Sequence, residues 1–241
     1  MIDVTVRGQT LRLFPEKGAY WIERKTIFVA DTHFGKSAAF RRRGIPIPAG
    51  TTDADLTRLG RLLDATRAER AIFLGDLVHE GRATDEKTLE QLSRWRADRS
   101  CVDMVLILGN HDAALDRIGA ALSLHVYAQR EEPPFILRHD PPRDRLAGGA
   151  NGGLYALTGH VHPAVSLFDN LGGRLRAPCF WFTPTFAVLP AFGGFTGCYE
   201  VAPAPDDGVY VVGDAELAQV QAFQGAASAP GAQTFARRVN G

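Results

Sequence analysis

The 241-residue sequence predicts an α/β protein whose second half supplies another sheet, on two observations. Between residues 26 and 112, short apolar runs alternate with helical patterns, the rhythm of strand, helix, strand. From about Leu122 onward, short apolar or aromatic segments follow one another, each bounded by Gly, Pro or Asn. With 45% hydrophobic residues the chain can bury a substantial core, and one large domain is expected over residues 1–220.

Residues 2 to 13 alternate around Arg7 and Gly8, which reads as a hairpin, and Thr26 to Ala30 form an apolar run that stops at Asp31. The stretch through Gly50 reads as loop. Leu56, Leu59, Leu62 and Leu63 then recur at helical spacing behind the capping candidates Thr52 and Asp53, and Ala71 to Leu74 form the next strand. Leu89, Leu92 and Trp95 mark a second helix, Val102 to Leu108 a buried strand, and a short helix follows Asp112. The strands expected in the second half are Phe135–Leu137, Tyr155–Thr158, Val165–Phe168, Leu175–Ala177, Phe180–Phe182, Phe186–Leu189 and Val209–Val212. Gly148 to Gly153 reads as a tight or flexible connection. Residues 221–241, rich in Ala, Gly and Gln without an apolar face, read as a flexible C-terminal tail.

Twenty-seven basic residues balance twenty-seven acidic ones, so no global positive field marks a nucleic-acid binder, and any phosphate-binding field must be local. Cys101, Cys179 and Cys198 are odd in number and lack Cys-x-x-Cys spacing, which argues against a disulfide framework and a thiolate zinc site. The N-terminus is charged and alternating, and no apolar run approaches the length of a membrane span. A soluble, cytoplasmic protein is expected.

Function in an α/β sheet collects beyond the carboxyl ends of the strands. Five apolar runs end in metal-ligand residue types: Asp31 and His33, Asp76, Asn110 with His111 and Asp112, His139, and His160 with His162. Any one of these motifs is a common strand end or turn. Their recurrence at five strand ends is not explained by satisfied surface residues. Asp31, His33, Asp76, Asn110, His139, His160 and His162 supply enough oxygen and nitrogen donors for two cations sharing one carboxylate, with Asp76 the natural bridge. Oxygen and imidazole without thiolate suit manganese, iron or zinc.

This order of blocks, Asp-x-His, Gly-Asp, Gly-Asn-His-Asp, His and Gly-His-x-His, resembles the calcineurin-like metallophosphoesterase superfamily across roughly residues 25 to 165. The resemblance implies a four-layer αββα sandwich of two mixed β-sheets flanked by helices. It also implies two divalent ions, manganese first, with Asp31, His33 and His162 on one, Asn110, His139 and His160 on the other, and Asp76 shared. A metal-bridging hydroxide would then attack phosphorus in line, while His111 stabilises the developing charge or protonates the leaving oxygen. Asp112 either orients His111 or caps the turn that follows. His79 either reaches the substrate side of the site or is a loop histidine, and His125 reads as a packed or hydrogen-bonded strand residue.

A narrower resemblance covers Asp31 to Thr51 and the Gly-Asp-Leu-Val-His79 block. It is similar to the bacterial ligase-associated DNA-damage-response endonucleases, while the Arg138-His139-Asp140-Pro141 block departs from the Ser-His-x-Pro expected around His139. It implies a DNA endonuclease acting in repair on single-stranded or damaged DNA, functionally associated with a DNA ligase and a helicase. Lys36, Arg41, Arg42 and Arg43 follow the first block, where they either contact the phosphate backbone or form a solvated surface, and Phe34 or Phe40 either stack on a base or pack in the core. Two other readings stand beside this one. The first is a phosphodiesterase or phosphatase of nucleotides or other small phosphoesters. The second is a non-catalytic scaffold of the same fold, which the complete ligand set disfavours.

Overall fold

In the computed structural model, which describes residues 1–79, 84–112, 116–143, 153–168, 173–224 and 234–238, the chain opens with β1 (Ile2–Val6), β2 (Gln9–Leu13) and β3 (Ala19–Trp21). β1 and β2 pair antiparallel across Arg7 and Gly8, both at positive φ as a two-residue hairpin turn requires. The alternating part follows: β4 (Thr26–Val29), α1 (Lys36–Arg42), α2 (Thr51–Thr66), β5 (Arg70–Leu74), α3 (Glu86–Ala97), β6 (Asp103–Ile107), α4 (Asp116–Leu122) and β7 (His125–Tyr127). β1 to β7 form one sheet in chain order, antiparallel as far as β4 and parallel from β4 to β7, where helical crossovers carry the chain back to the same edge.

The central strands β4, β5 and β6 are buried on both faces. Ile27, Val29, Phe73, Met104 and Leu106 pack on a core shared with Leu59, Leu62, Leu92 and Ile118 of the helices. The alternate residues Phe28, Ile72, Leu74, Val105 and Ile107 face the other way, into the space between the sheets. That double burial is why these strands read as continuous apolar runs.

The second sheet is built from β8 (Arg130–Glu132), β9 (Phe135–Leu137), β10 (Tyr155–Thr158), β11 (Pro163–Phe168), β12 (Arg174–Phe182), β13 (Phe186–Val188), β14 (Tyr199–Glu200), β15 (Gly208–Val212), β16 (Leu217–Gln224) and β17 (Thr234–Arg238). Its order is β14-β11-β17-β16-β15-β12-β13-β10-β9-β8, with β11 also paired to β12. Phe135, Leu137, Leu157, Phe180 and Leu189 meet the inner face of the first sheet. Phe28, Phe135 and Phe180 are fully enclosed there, each contributing roughly 1.5–3 kcal/mol by burial.

The α/β fold with two mixed sheets is the one expected. The four α-helices of the described residues precede the second sheet, and α2, α3 and α4 supply the core on the first sheet. A helical layer outside the second sheet is not among the described residues; there β11, β12, β15, β16 and β17 pair in a closed ring around Val165, Cys179, Val209 and Val211.

Several local readings change. Residues 36–42, expected as loop, form α1, which buries only Ser37 and Ala39 and so carries no apolar stripe. The runs Leu175–Ala177 and Phe180–Phe182 are one strand. Pro178, lacking an N–H, sits where the strand passes from pairing with β11 to pairing with β15. Residues 221–224 continue β16, and β17 pairs with it, so strand lies within the stretch read as tail. His125 is on β7 as expected, but it is exposed beside Asp103 rather than packed. The Gly148 to Gly153 connection lies, except for Gly153, outside the described residues.

Parallel pairing has one consequence for function. The carboxyl ends of β4, β5 and β6 and those of β9 and β10 lie along one edge of the sandwich. Phe192 N–H bonds Ala30 C=O at 2.8 Å and Leu189 N–H bonds Thr158 C=O at 2.9 Å, joining the segment after β13 to both sheets there.

Candidate metal centre

Asp31, two residues after β4, and His33 meet His162 from the β10–β11 connection, and each offers a ligand atom within 4.8 Å of the others. Asp76 after β5, His139 after β9 and His160 after β10 form a second group by the same measure. Asp76 faces both groups, with Oδ2 3.9 Å from His33 Nε2 and Oδ1 3.6 Å from His139 Nε2. In the first group Asp31 Oδ1 lies 3.4 Å from His162 Nε2. Asn110 joins the second, its Nδ2 3.4 Å from His160 Nδ1.

The donors suit divalent cations. Asp31 Oδ1 and His33 Nδ1 are buried without a hydrogen-bond partner, each costing about 1–3 kcal/mol if nothing else satisfies it. Burial holds His33 down at about 2, with the charges of Lys36, His162, His111 and His79 acting the same way, so its imidazole is neutral and its lone pair available. His139 Nδ1 donates to Leu74 C=O at 2.9 Å and His162 Nδ1 to Gly197 C=O at 3.1 Å, leaving Nε2 of each toward the carboxylates. His160 is turned the other way. Its Nδ1 faces His139 Nε2 at 3.1 Å and its Nε2 faces Asp140 Oδ1 at 3.5 Å.

The backbone at these positions is strained. Asp31, His33, Asp76, His160 and His162 have φ of 53°, 45°, 49°, 69° and 51°, in the left-handed region that costs non-glycine residues of order 1–3 kcal/mol each. Cross-motif hydrogen bonds hold them there: Asp31 N–H to Gly75 C=O, His33 N–H to Asp76 C=O, and His160 N–H to Asp31 Oδ2. The motif glycines make room. A Cβ on Gly75 would lie 2.0 Å from His139 Nδ1, one on Gly109 2.4 Å from Asp76 Oδ1, and one on Gly159 2.7 Å from Asp31 Oδ2. The glycines before Asp76, Asn110 and His160 therefore each accommodate a ligand from another motif.

His111 lies on the open side of the cluster, its ring 5.3 Å from that of His33. Its Nδ1 donates to the His79 carbonyl at 3.1 Å, which leaves Nε2 as the nitrogen able to address a bound phosphate. The His79 ring stacks on His111 at 5.4 Å and stands 5.8 Å from His33, so it lines the site. Asp112 is buried. Its carboxylate accepts the N–H of Leu77 at 2.9 Å and of Gly109 at 2.8 Å, clamping the second motif to the third.

The four expected phosphate-binding cations separate. Lys36, at the start of α1, lines the cleft that contains His33; burial lowers its ammonium while Asp76 and Asp31 hold it up. Arg41 donates to Pro48 C=O, and Arg42 pairs with Asp85 at 2.9 Å, both away from the ligands. Arg43, just past α1, is exposed. Phe34 is in the helix-side core and unable to stack on a base, whereas Phe40 is half-buried beside His79. Sequence reasoning missed three supporting groups: Asp140 behind His160, the Gly197 carbonyl behind His162, and Phe195 in the same cleft as Lys36. Asp140 adjoins a ligand, which is a usable signal. The other two sit in a Gly-Gly-Phe-Thr-Gly stretch that resembles no motif.

Residues 24–176 match the calcineurin-like phosphoesterase family. No curated protein matches the chain. Among solved structures, the nuclease MPE of Pseudomonas putida is 36% identical over 89% of this chain and 98% of that one, with a TM-score of 0.74. A protein of unknown function from Aquifex aeolicus, AQ665, is 19% identical over 61% of this chain and 81% of its own, at a TM-score of 0.41. Yfce, a phosphoesterase from E. coli, is 16% identical over 81% of this chain and 92% of its own, at 0.37. The last two likenesses are too weak to bear on function. With its ordered motifs, its two-sheet fold and ligands gathered for a dinuclear divalent-metal site, the chain belongs to the calcineurin-like phosphoesterase family.

Proposed function

We propose that this protein is a manganese-dependent DNA endonuclease of the repair machinery, cutting single-stranded or damaged strands. The observation that carries the phosphodiesterase chemistry is the Asp76 carboxylate, one oxygen toward each ligand group. Nucleic acid as substrate is supported by the likeness to a nuclease over nearly the whole chain and by Lys36 beside the ligands. Asp31, His33 and His162 would hold one cation and Asn110, His139 and His160 the other, with Asp76 between. Bound there, two divalent ions supply Lewis-acid neutralisation of phosphate charge and a nucleophile at neutral pH.

The chain's own residues do the rest. Lys36 binds a phosphate oxygen and steers the strand into the cleft. His111, its Nδ1 fixed on the His79 carbonyl, stabilises charge on the phosphate and, when protonated, gives the Nε2 proton to the leaving oxygen. His79 restricts the His111 ring from one side. The ligase and helicase association and a cytoplasmic setting belong to this reading, the first through the resemblance of the Asp31 to Thr51 segment, the second through three unpaired cysteines.

The test is cleavage of circular single-stranded DNA, which has no ends, by metal-stripped protein with manganese restored, beside Asp76→Ala and His111→Ala. Manganese-dependent cutting that both variants lose is expected. Hydrolysis of a small phosphodiester without any cutting would move the substrate to a small molecule.

A further inference from the structure

Four rings run from solvent to the ligands. Phe195 is exposed, at 38%, and meets Phe40 edge to face at 5.7 Å. Phe40 lies 5.6 Å from His79, His79 stacks on His111 at 5.4 Å, and His111 is 5.3 Å from His33. Lys36 and Phe195 line one cleft together with His33. A cation and an aromatic ring thus share a narrow recess with a candidate ligand.

An exposed phenylalanine at a loop tip ordinarily gains nothing from order. The backbone around Phe195 is nevertheless pinned on both sides. Gly194 N–H donates to both Asp55 oxygens at 3.0 and 3.1 Å, and the Thr196 hydroxyl donates to Gly193 C=O at 2.7 Å. Gly197 C=O accepts the ring N–H of His162. Asp55 is itself held by Arg58 at 2.9 Å, and the Arg58 guanidinium lies over the Phe192 ring. The same loop that orients a metal ligand therefore fixes the position of an exposed ring.

We infer that Phe195 and Phe40 form a base-stacking subsite for the nucleotide next to the scissile phosphate, with Lys36 on the adjoining phosphate. This rests on the nuclease reading and adds its specificity. A ring face accepts any base, but only one that has left a double helix, so the subsite selects unpaired strands without reading sequence. In duplex DNA the neighbouring base is stacked on its own strand and cannot reach Phe195.

The experiment uses manganese-loaded, full-length protein and single-stranded oligonucleotides in which one abasic residue is walked along the strand. The rate kcat/KM is measured at each phosphate for wild type, Phe195→Ala, Phe195→Leu and Phe195→Tyr, with thermal melting as the fold control. Wild type and Phe195→Tyr are expected to cut beside an abasic residue roughly tenfold or more slowly than beside a base, the size of a typical base–aromatic stack. Phe195→Ala and Phe195→Leu should lose that discrimination. The inference is overturned if Phe195→Ala or Phe195→Leu discriminates as wild type does, since the ring would then read no base. If wild type cuts no strand yet hydrolyses a small phosphodiester, the nuclease reading fails and this one with it, an outcome distinct from the first.

Discussion

Replacing Asp112 by Ala should destabilise the protein by about 2–5 kcal/mol, because the substitution strands two buried amides rather than removing a catalytic group. Asp112 is 4% exposed, and its two oxygens accept Leu77 N–H at 2.9 Å and Gly109 N–H at 2.8 Å. Hydrogen bonds to a charged acceptor contribute about 1.5–3 kcal/mol each, and each buried N–H left without a partner costs about 1–3 kcal/mol. Some of this is offset because the buried carboxyl is itself pushed up by desolvation, so its charge is not held without cost. For a chain of this length, 1 kcal/mol moves the melting midpoint by about 2–4 °C, so a drop of roughly 4–20 °C in metal-free protein is expected. Asp112→Asn retains one acceptor and turns an amide NH2 toward the other N–H, so it should fall between wild type and Asp112→Ala or match the latter. The assay is a thermal melt in chelator, beside manganese affinity and activity. Lost activity with an unchanged melting midpoint and unchanged manganese affinity would refute the clamp and return Asp112 to a direct role on His111.

Lys36 and Arg42 should behave differently although both are cations on α1. Lys36→Met should lower kcat/KM on DNA by roughly tenfold or more, the loss of one charge-assisted phosphate contact, whereas Arg42→Ala, whose guanidinium is engaged by Asp85, should change it less than about threefold in physiological salt. Away from the site, burial lowers the Lys17 ammonium, with Arg58 adding to the effect and Asp55 opposing it. Its folded pKa lies below its unfolded one, so the unfolded chain binds more protons and stability should rise with pH through that window, levelling off above about 10.4. Lys17→Met should flatten that rise in melts taken between about pH 8 and pH 10.

The two clusters of candidate metal ligands were legible because chemistry and location coincide in the sequence: Asp and His side chains directly behind apolar runs that parallel pairing brings to one edge. What was not legible depends on partners distant in sequence. Asp112, read as either orienting His111 or capping the turn after it, accepts the amide of Leu77 in the preceding motif as well as that of Gly109 in its own, and no local pattern marks the first contact. Phe195 carries no signal, since its importance comes from a loop pinned by Asp55, a helix residue far upstream. α1 escaped because a helix that buries only Ser37 and Ala39 needs no apolar periodicity, and its start at Gly35, φ 81°, has no side-chain cap to mark it. β12 was divided at Pro178, a residue that central strands exclude except where pairing changes partner.

The arrangement of strain explains where specificity must reside. Each clamp in the metal centre joins two different motifs: Asp31 N–H to Gly75 C=O, His33 N–H to Asp76 C=O, Gly159 N–H to His139 C=O and His160 N–H to Asp31 Oδ2. Asp31, His33, Asp76 and His160 cannot relax alone, because the departure of any one would break a hydrogen bond made to the other group, and His162 is held by Gly197 instead. A site locked in this way holds its ligands in place collectively, which suits reaction on a phosphoester but leaves it little freedom to adapt to what surrounds the phosphate. Discrimination between substrates then falls to the elements at its mouth, α1 with Lys36 and Phe40 and the Gly193–Gly197 loop with Phe195. Those elements meet the centre through His79, the His162–Gly197 hydrogen bond and the backbone bonds of Lys36 N–H to His33 C=O and Gly193 N–H to Asp31 C=O, so their outward side chains can change without breaking these links. On the nuclease reading proposed above, the chemistry would be fixed at the strand ends and the choice of substrate made by two short segments beside them.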